Sequence, residues 1–115
     1  MPTFEVWDIV KVPFPYTDRP VRQRRPALVI VAGKLLVDHG LLWLAMITSA
    51  ANRGWRSDVP ISDLSTAGLP IPSIIRPAKI ATIEARDAQT LGTLVPGDRV
   101  QVARFLQDFL SATLS

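Results

Sequence analysis

The chain has 115 residues, of which 48% are hydrophobic and 20% charged, and its formal net charge is +3. This length and composition exclude a disordered or fibrous protein and predict a single domain, residues 1–115, that buries about two thirds of its unfolded surface. The absence of cysteine excludes disulfides and thiolate metal sites.

The sequence predicts no signal peptide and no membrane span. No basic segment followed by a long apolar run begins the chain. The longest apolar run, LLWLAMI, is much shorter than the roughly 20 residues that cross a bilayer. Together with the lack of cysteine, this favours a cytoplasmic protein without membrane contact.

The first half of the chain predicts strands separated by a polar loop. Residues 6–14 mix β-branched and aromatic residues with polar ones, which is typical of a strand. The next stretch is polar and rich in proline, so we expect a long loop. Residues 26–33 form a continuous apolar run that predicts a strand buried on both faces. After a connection at 34–40, residues 41–50 predict another buried strand, with a helix as the alternative.

The next segments predict shorter elements. Residues 51–58 form a second basic loop, and residues 59–72 are punctuated by proline and glycine, as expected for a short strand and a turn. Residues 73–84 predict one strand, in which Pro77 marks an edge or a bulge because proline cannot donate to a ladder. Residues 90–96 predict a turn.

The C-terminal segment predicts a helix. Between residues 97 and 114, apolar residues recur at steps of three and four, at Val100, Ala103, Leu106, Leu110 and Leu114. Asp98 is the predicted N-cap, and the apolar face is expected to pack on the sheet. Trp7 and Trp43 are predicted core residues. The whole pattern predicts a mostly β fold with a C-terminal α-helix, a small SH3-like barrel.

Several classes of site are excluded by residue type. His39 is the one histidine, and without cysteine it makes a poor metal-ligand set and no Ser-His-Asp triad. The carboxylates show no dyad spacing, and glycine-rich phosphate loops are missing. We therefore expect neither a metal nor a cofactor.

Positive charge is concentrated early in the chain. Between residues 11 and 25, Asp18 stands alone against five basic residues: Lys11, Arg19, Arg22, Arg24 and Arg25. Such a patch attracts phosphate, although a solvated loop without a partner is the alternative.

Arg25 and Thr48 are the candidates for chemistry. Arg25 precedes one predicted strand, and Thr48 ends the next, at similar distances from the connection between them. If the strands pair as antiparallel neighbours, the guanidinium and the hydroxyl share one mouth of the barrel. Such a pair suits a phosphodiester whose charge increases during reaction. The alternatives are an Arg25 that pairs with a carboxylate such as Asp8, and a Thr48 whose methyl group packs.

Four stretches occur in an order and spacing that resemble a known family. They are WDIVKVPFPYTD, RRPALVI, ITS and SIIRPAKIATIE, the last with Ser73, Ile80, Thr82, Ile83 and Glu84 at the matching positions. LGTL and the final helix follow in order. The chain is similar over nearly its whole length to the PemK/MazF toxins of type II toxin–antitoxin systems.

The resemblance implies a dimeric SH3-like barrel that cuts single-stranded RNA without metal and is silenced by a cognate antitoxin. By position, Arg25 matches the family's catalytic arginine and Thr48 its catalytic threonine. The implied reaction is attack by the RNA's own 2′-hydroxyl on the adjacent phosphate. Arg25 would then stabilise charge on the phosphate and protonate or steady the leaving oxygen, while Thr48 holds a non-bridging oxygen.

Further residues are expected to bind RNA or the antitoxin: Asp18, Arg24, Ser49, Arg53, Trp55, Ser73 and Lys79. Trp55 is expected either to stack on a base or to pack in a loop or dimer interface. Two positions depart from the family. Trp7 replaces the opening glycine, and the first loop lacks the usual glutamate, so the protein either uses Asp18 or does without an acid there.

Other functions remain open from the sequence. One is a non-catalytic module on the same barrel that binds RNA or antitoxin, and another is a gyrase-poisoning toxin, which the lack of a C-terminal tryptophan disfavours. The apolar segment at residues 69–75 is a candidate dimer surface.

Overall fold

The computed structural model describes residues 3–13 and 23–114. These residues form six strands, three α-helices and two 3₁₀ turns. In chain order they are β1 (Asp8–Pro13), β2 (Arg24–Val31), α1 (Gly33–His39), β3 (Leu41–Ser49), a 3₁₀ turn (Ala50–Asn52), β4 (Val59–Pro60), α2 (Leu64–Ala67), β5 (Ser73–Glu84), a 3₁₀ turn (Ala85–Asp87), β6 (Gln89–Thr93) and α3 (Pro96–Leu114).

The described strands build one sheet in the order β4-β5-β3-β2-β1-β6, in which every neighbouring pair is antiparallel. A buried cluster lies on each face of this sheet, as the continuous apolar runs predict. One face carries a cluster that includes Val10, Val29 and Leu44, with Leu36 of α1 packed against it. The opposite face carries Leu28 and Ile47, among others, in a second cluster.

Helix α3 covers part of the second cluster. Val102 is fully buried, and Phe105 and Leu106 pack beside it. The prediction that the helix packs on the sheet is thus confirmed, but the predicted face is rotated, since Val100 and Leu110 are exposed. Apolar residues lie on several sides of this helix, so spacing alone did not identify the buried side.

Asp98 does not cap α3, which begins two residues earlier at Pro96. Its carboxylate instead accepts hydrogen bonds from the backbone amide (2.8 Å) and the hydroxyl (2.9 Å) of Ser62. The bonds tie the first turn of the helix to the segment after β4. The N-cap prediction was therefore wrong. Asp98 lies inside the first turn of the helix, and its carboxylate bonds Ser62 instead of the helix's own amides.

Two segments predicted as irregular are regular. Residues 34–40 contain α1, which packs through Leu36 and ends where the amide of Gly40 donates to the carbonyl of Leu36 at 2.8 Å. Residues 90–96 contain most of β6, which pairs with β1. The polar residues and glycine of β6 do not indicate a strand in the sequence. The strand is stabilised by its pairing with β1 and not by an intrinsic β propensity.

Of the two alternatives predicted at Pro77, an edge or a bulge, the structure shows the bulge. Met46 pairs with Arg76 and the preceding Ala45 pairs with Ile80, so residues 77–79 are extra on β5. A bulge removes the need for an amide donor at the proline and bends the strand. β5 therefore reaches both β3 and β4 while the sheet curls.

The two tryptophans predicted in the core differ from each other. Trp7 packs against the second cluster, but Trp43 is 40% exposed. Trp43 alternates with the fully buried Leu42 and Leu44, so its side chain lies on the opposite face of β3. Burial of the whole strand could not be assumed from its apolar composition.

Trp7 has a φ of 83°, a left-handed conformation that favours glycine. Its amide donates to the carbonyl of Val29 and its carbonyl accepts from the amide of Leu94, each at 2.9 Å. The guanidinium of Arg99 lies 5.8 Å from the centroid of its ring. These contacts stabilise a backbone conformation that otherwise costs a residue with a side chain on the order of 1–3 kcal/mol.

The sheet curls into a half-barrel because α2, which follows the β4 edge, packs directly on β6 at the other edge. The approach is backbone to backbone. A Cβ atom added at Gly92 would lie 2.3 Å from the carbonyl oxygen of Thr66, and one added at Gly68 would lie 2.2 Å from that of Leu91. Glycine is therefore required on both sides of this closing contact. The SH3-like barrel class predicted from the sequence is confirmed.

We predict that Gly92→Ala destabilises the protein by about 3 kcal/mol or more, because neither the added methyl group nor the facing backbone can move away cheaply. Urea unfolding measures the difference. Gly97→Ala is the matched control, since an added Cβ there meets nothing within 4 Å. Alanine in the first turn of α3 should leave stability unchanged or raise it by up to about 1 kcal/mol. Equal stabilities for the two variants would contradict the closing contact.

Candidate active site

Arg25 and Thr48 lie at the same end of the β2–β3 ladder. The ladder pairs Ala27 with Met46, and both strands continue past this pair, through Arg25 in β2 and Thr48 in β3. This end of the sheet presents a guanidinium and a hydroxyl to one cavity.

A cavity of about 350 Å³ opens at this end of the sheet. The predicted site residues that line it are Arg24, Arg25, Thr48, Ser49 and Ser73. The closing contact forms another part of its wall, through Gly68, Leu69 and Leu91. The cavity thus depends on the β2–β3 pairing on one side and on the closure of the half-barrel on the other.

The remaining predicted residues lie elsewhere. Arg53, Trp55 and Lys79 do not line the cavity. Lys79 belongs to the bulge of β5. Asp18 lies outside the described residues, so its placement relative to the site stays a prediction.

The two arginines at the start of β2 have different surroundings. Nη2 of Arg24 donates to the backbone carbonyls of Lys11 (3.4 Å) and Asp87 (3.2 Å), so part of its guanidinium is engaged with the chain. Nη2 of Arg25 donates to Oε1 of Gln23 at 3.2 Å. Arg25 is half-buried, whereas Arg24 is exposed, so the side chain of Arg25 is less hydrated.

The three hydroxyl groups of the site are held differently. Thr48 is only 6% exposed, and its Oγ1 accepts a hydrogen bond from Nδ2 of Asn52 at 3.0 Å. Oγ of Ser49 accepts from the amide of Ala51 at 3.2 Å and caps the 3₁₀ turn. Ser73 donates its proton to the carbonyl of Ile71 at 2.8 Å. The proton of Ser73 is therefore engaged within the chain.

A buried ion pair supports the loop beside the site. Nε and Nη2 of Arg76 donate to Oδ1 and Oδ2 of Asp58 at 2.9 and 3.0 Å. Nη2 also donates to the backbone carbonyl of Asn52 at 3.0 Å. Oδ2 of Asp58 accepts further from the amides of Gly54 (3.2 Å) and Trp55 (3.1 Å). This pair fixes the whole loop from Asn52 to Asp58.

Sequence reasoning missed Asn52, Asp58 and Arg76. Asp58 and Arg76 are 18 residues apart in the chain, and nothing local marks them as partners. The available signal was an arginine directly after the apolar pair Ile74 and Ile75, since a guanidinium that is buried requires a counter-charge. Asn52 is placed by the turn that this pair holds.

Trp55 stacks on the buried pair. Cζ of Arg76 lies 4.3 Å from the centroid of the Trp55 ring, a cation–π distance. The indole is nevertheless 48% exposed. Arg76 therefore supports one side of a tryptophan whose remaining surface meets solvent.

A second cavity, of about 500 Å³, lies away from these residues. It is lined by α1 and the end of β5, with His39, Val37 and Glu84 in its wall. Although it is larger, it contains none of the predicted site residues. Among the described residues, His, Asp and Glu side chains nowhere gather in a group of three or more that could hold a metal ion. Within residues 3–13 and 23–114, no helix is long and apolar enough to cross a membrane.

The family is decided by a sequence comparison. Residues 5–110 match the model of the PemK-like, MazF-like toxins of type II toxin–antitoxin systems. The chain belongs to this family. No curated protein sequence matches it.

Solved structures of MazF toxins share the fold. MazF from Deinococcus radiodurans superimposes with a TM-score of 0.76 at 20% identity, covering 96% of this chain and 99% of that one. The Mycobacterium tuberculosis toxin MazF-mt6 gives 0.69 at 20% identity, covering 90% and 96%. A mycobacterial endoribonuclease in complex with its cognate antitoxin gives 0.71 at 15% identity, covering 96% of each chain.

The Arg76–Asp58 pair makes stability depend on pH. The hydrogen bonds from Arg76 and the amides of Trp55 and Gly54 lower the pKa of Asp58 below its ordinary value, against the opposing effect of burial. Because the pKa is lowered in the folded state, the pair stabilises the protein above the unfolded pKa of about 3.9. This stability is lost as the pH falls through the folded pKa.

We predict that Asp58→Asn destabilises the protein by about 3–5 kcal/mol at pH 7, because it leaves a buried guanidinium without its counter-charge. The variant should also show a shallower loss of stability than the wild type as the pH falls from about 5. Denaturant unfolding across this pH range measures both effects. Glu84→Gln breaks an exposed pair with Arg86 and is the control, with a cost of about 1 kcal/mol or less. Parallel pH profiles for the wild type and Asp58→Asn would contradict the assignment.

Proposed function

We propose that this PemK/MazF-family toxin is an endoribonuclease that cuts single-stranded RNA at specific sequences in the cytoplasm. The observation that carries the proposal is that Arg25 and Thr48 line one cavity at the end of the β2–β3 ladder. A guanidinium keeps its charge at any working pH, and its planar fork matches two phosphate oxygens. The hydroxyl supplies another donor for the same group.

The reaction that fits these residues is an internal transesterification. The 2′-hydroxyl oxygen attacks the adjacent phosphorus, the bond from phosphorus to the 5′-oxygen breaks, and the 2′-hydroxyl proton passes to the leaving oxygen. The products are a 2′,3′-cyclic phosphate and a 5′-hydroxyl, so no water is consumed. Arg25 stabilises the charge on the phosphoryl oxygens and steadies the leaving oxygen, and Thr48 holds a non-bridging oxygen.

The basic surroundings supply binding to the RNA backbone. Arg24 lines the cavity, and Arg53 lies exposed on the loop that follows Asn52. Trp55, supported by Arg76, offers an exposed indole on which a base can stack, and stacking contributes about 1–3 kcal/mol for each base. These contacts require splayed bases, which is why single-stranded RNA is the proposed substrate.

A cognate antitoxin is the proposed inhibitor, and an acidic, extended segment is the chemistry that fits this basic cavity. Solved relatives support such a partner, since MazF of Deinococcus radiodurans occurs in a MazE–MazF complex and a mycobacterial endoribonuclease occurs with its antitoxin. Covering Arg25 and Thr48 would exclude the phosphodiester.

One observation favours a second function, the binding of RNA or antitoxin without cleavage. The basic stretch at residues 11–25 has Asp18 as its sole acid, whereas many family members carry a glutamate there. If that acid is needed for chemistry, the protein binds RNA or antitoxin without cutting. A purified protein that binds single-stranded RNA or the antitoxin but leaves the RNA uncut would identify this alternative.

We predict that the purified protein cuts long single-stranded RNA in the presence of EDTA, and that Arg25→Ala lowers the single-turnover rate by about 10²–10³-fold. Thr48→Val, which keeps the shape but removes the donor, should lower it by a similar factor. Arg104→Ala removes an exposed arginine of α3 and should cut at the wild-type rate. Mapped ends should carry cyclic phosphates. If RNAs of many different sequences remain intact, the nuclease proposal is contradicted.

Of the predicted dimer segment at residues 69–75, only residues 70–72 are exposed, since Leu69, Ser73, Ile74 and Ile75 are buried within the chain. A homodimer is proposed through this exposed part, where Ile71 is 50% exposed. We predict a mass of twice 12.6 kDa by light scattering at tens of micromolar. Ile71→Asp should shift the protein toward the monomer. Val37→Asp, at a residue that is 83% exposed on α1, should leave the dimer intact. A wild-type monomer at this concentration would contradict the proposal.

A further inference from the structure

We infer that Asn52 is a positioning residue that directs the hydroxyl proton of Thr48 toward the substrate phosphate. The inference rests on the proposed function and adds a residue that the sequence pattern did not indicate. Asn52 lines the same cavity as Arg25 and Thr48. Its Nδ2 donates to Oγ1 of Thr48 at 3.0 Å.

The polarity of this hydrogen bond determines what Thr48 can do. A hydroxyl group has one proton and two acceptor lone pairs, and an amide NH₂ group only donates. The bond from Asn52 therefore occupies a lone pair of Oγ1 and leaves the proton for another acceptor. Within the described part of the chain, no hydrogen bond from the Thr48 hydroxyl to an acceptor is present. A phosphoryl oxygen in the cavity can therefore receive this proton.

Ser73 shows the contrasting case in the same cavity. Its hydroxyl proton is donated to the carbonyl of Ile71, so it has none to offer a ligand in this arrangement. The difference between the two hydroxyls is set by their partners and not by residue type. Asn52 is what makes Thr48 a donor toward the cavity.

The backbone of Asn52 is held independently of its side chain. Its carbonyl accepts from Nη2 of Arg76 at 3.0 Å, and Arg76 is itself locked to Asp58. At the other end of the turn, Ser49 caps the amide of Ala51. Replacing the Asn52 side chain therefore keeps the contacts that fix the turn. Variants at this position should fold, with at most a small fall in melting temperature from the lost hydrogen bond to Thr48.

Asn52→Asp is the decisive substitution, because it keeps the shape and reverses the polarity. A carboxylate only accepts, so the Thr48 proton would be donated to it and withdrawn from the phosphate. We expect the single-turnover cleavage rate to fall by about 10²-fold, close to the effect of Thr48→Val. Asn52→Ala frees the hydroxyl to rotate and should cost less than Asn52→Asp.

A double-mutant cycle separates the effect of redirecting the Thr48 proton from the effect of the negative charge that Asn52→Asp adds. In a Thr48→Val background there is no hydroxyl to redirect, so Asn52→Asp should cost only the few-fold effect of its charge on the phosphate. A fall of equal size in both backgrounds would overturn the inference, because Asn52 would then act by charge or structure alone. A wild-type rate for Asn52→Asp would overturn it as well.

The same cycle can be measured on binding. The probe is an RNA of the cleaved sequence with a single 2′-deoxy nucleotide at the scissile position, or, if the wild type cuts nothing, a long single-stranded RNA. Thr48→Val and Asn52→Asp should each weaken binding in the wild-type background, with the two effects less than additive. If the wild type binds without cutting, the nuclease proposal fails while this cycle still decides the role of Asn52. If the wild type does not bind RNA at all, both the nuclease proposal and the inference about Asn52 fail.

Discussion

The antiparallel ladder between β2 and β3 holds the centre of the sheet, and most of the molecule is arranged around it. Ala27, Leu28 and Val29 of one strand and Leu44, Ala45 and Met46 of the other are paired and buried. A shift of one residue would exchange the two faces, moving side chains from one core cluster to the other. The burial of both faces therefore determines the register, and the register brings Arg25 and Thr48 to the same end of the sheet, where both line the cavity.

Closure of the half-barrel is a separate constraint and depends on contact between backbones. Gly68 and Gly92 let α2 approach β6 more closely than any side chain would allow. This contact also forms part of the cavity wall, so a requirement of the fold shapes the candidate site. Trp7 belongs to the same region, because the amide of Leu94, which follows β6, bonds its carbonyl and so helps to hold its left-handed backbone in place.

The buried pair of Arg76 and Asp58 links the sheet to the loop that carries Asn52 and Trp55. Burial of two charges is costly, and the cost is offset here because each side chain is satisfied by several hydrogen bonds. The result is a rigid loop on which a polar side chain contacts Thr48 and an aromatic side chain faces solvent. In this way, residues that touch no substrate set the positions of those proposed to touch it.

The sequence by itself determined the strands at the centre of the sheet, an irregularity at Pro77, the C-terminal helix and the family, because these depend on local composition and on motifs in order. It also indicated Arg25 and Thr48, since their equal distances from one connection imply a shared end of the sheet. Strand β6, the buried side of α3 and the exposure of Trp43 were decided only by the tertiary structure. Each depends on what a neighbouring element covers, and a short polar strand or an all-round apolar helix carries no such information. The roles of Asn52, Asp58 and Arg76 were likewise decided by folding, because their hydrogen bonds join residues that no periodicity relates.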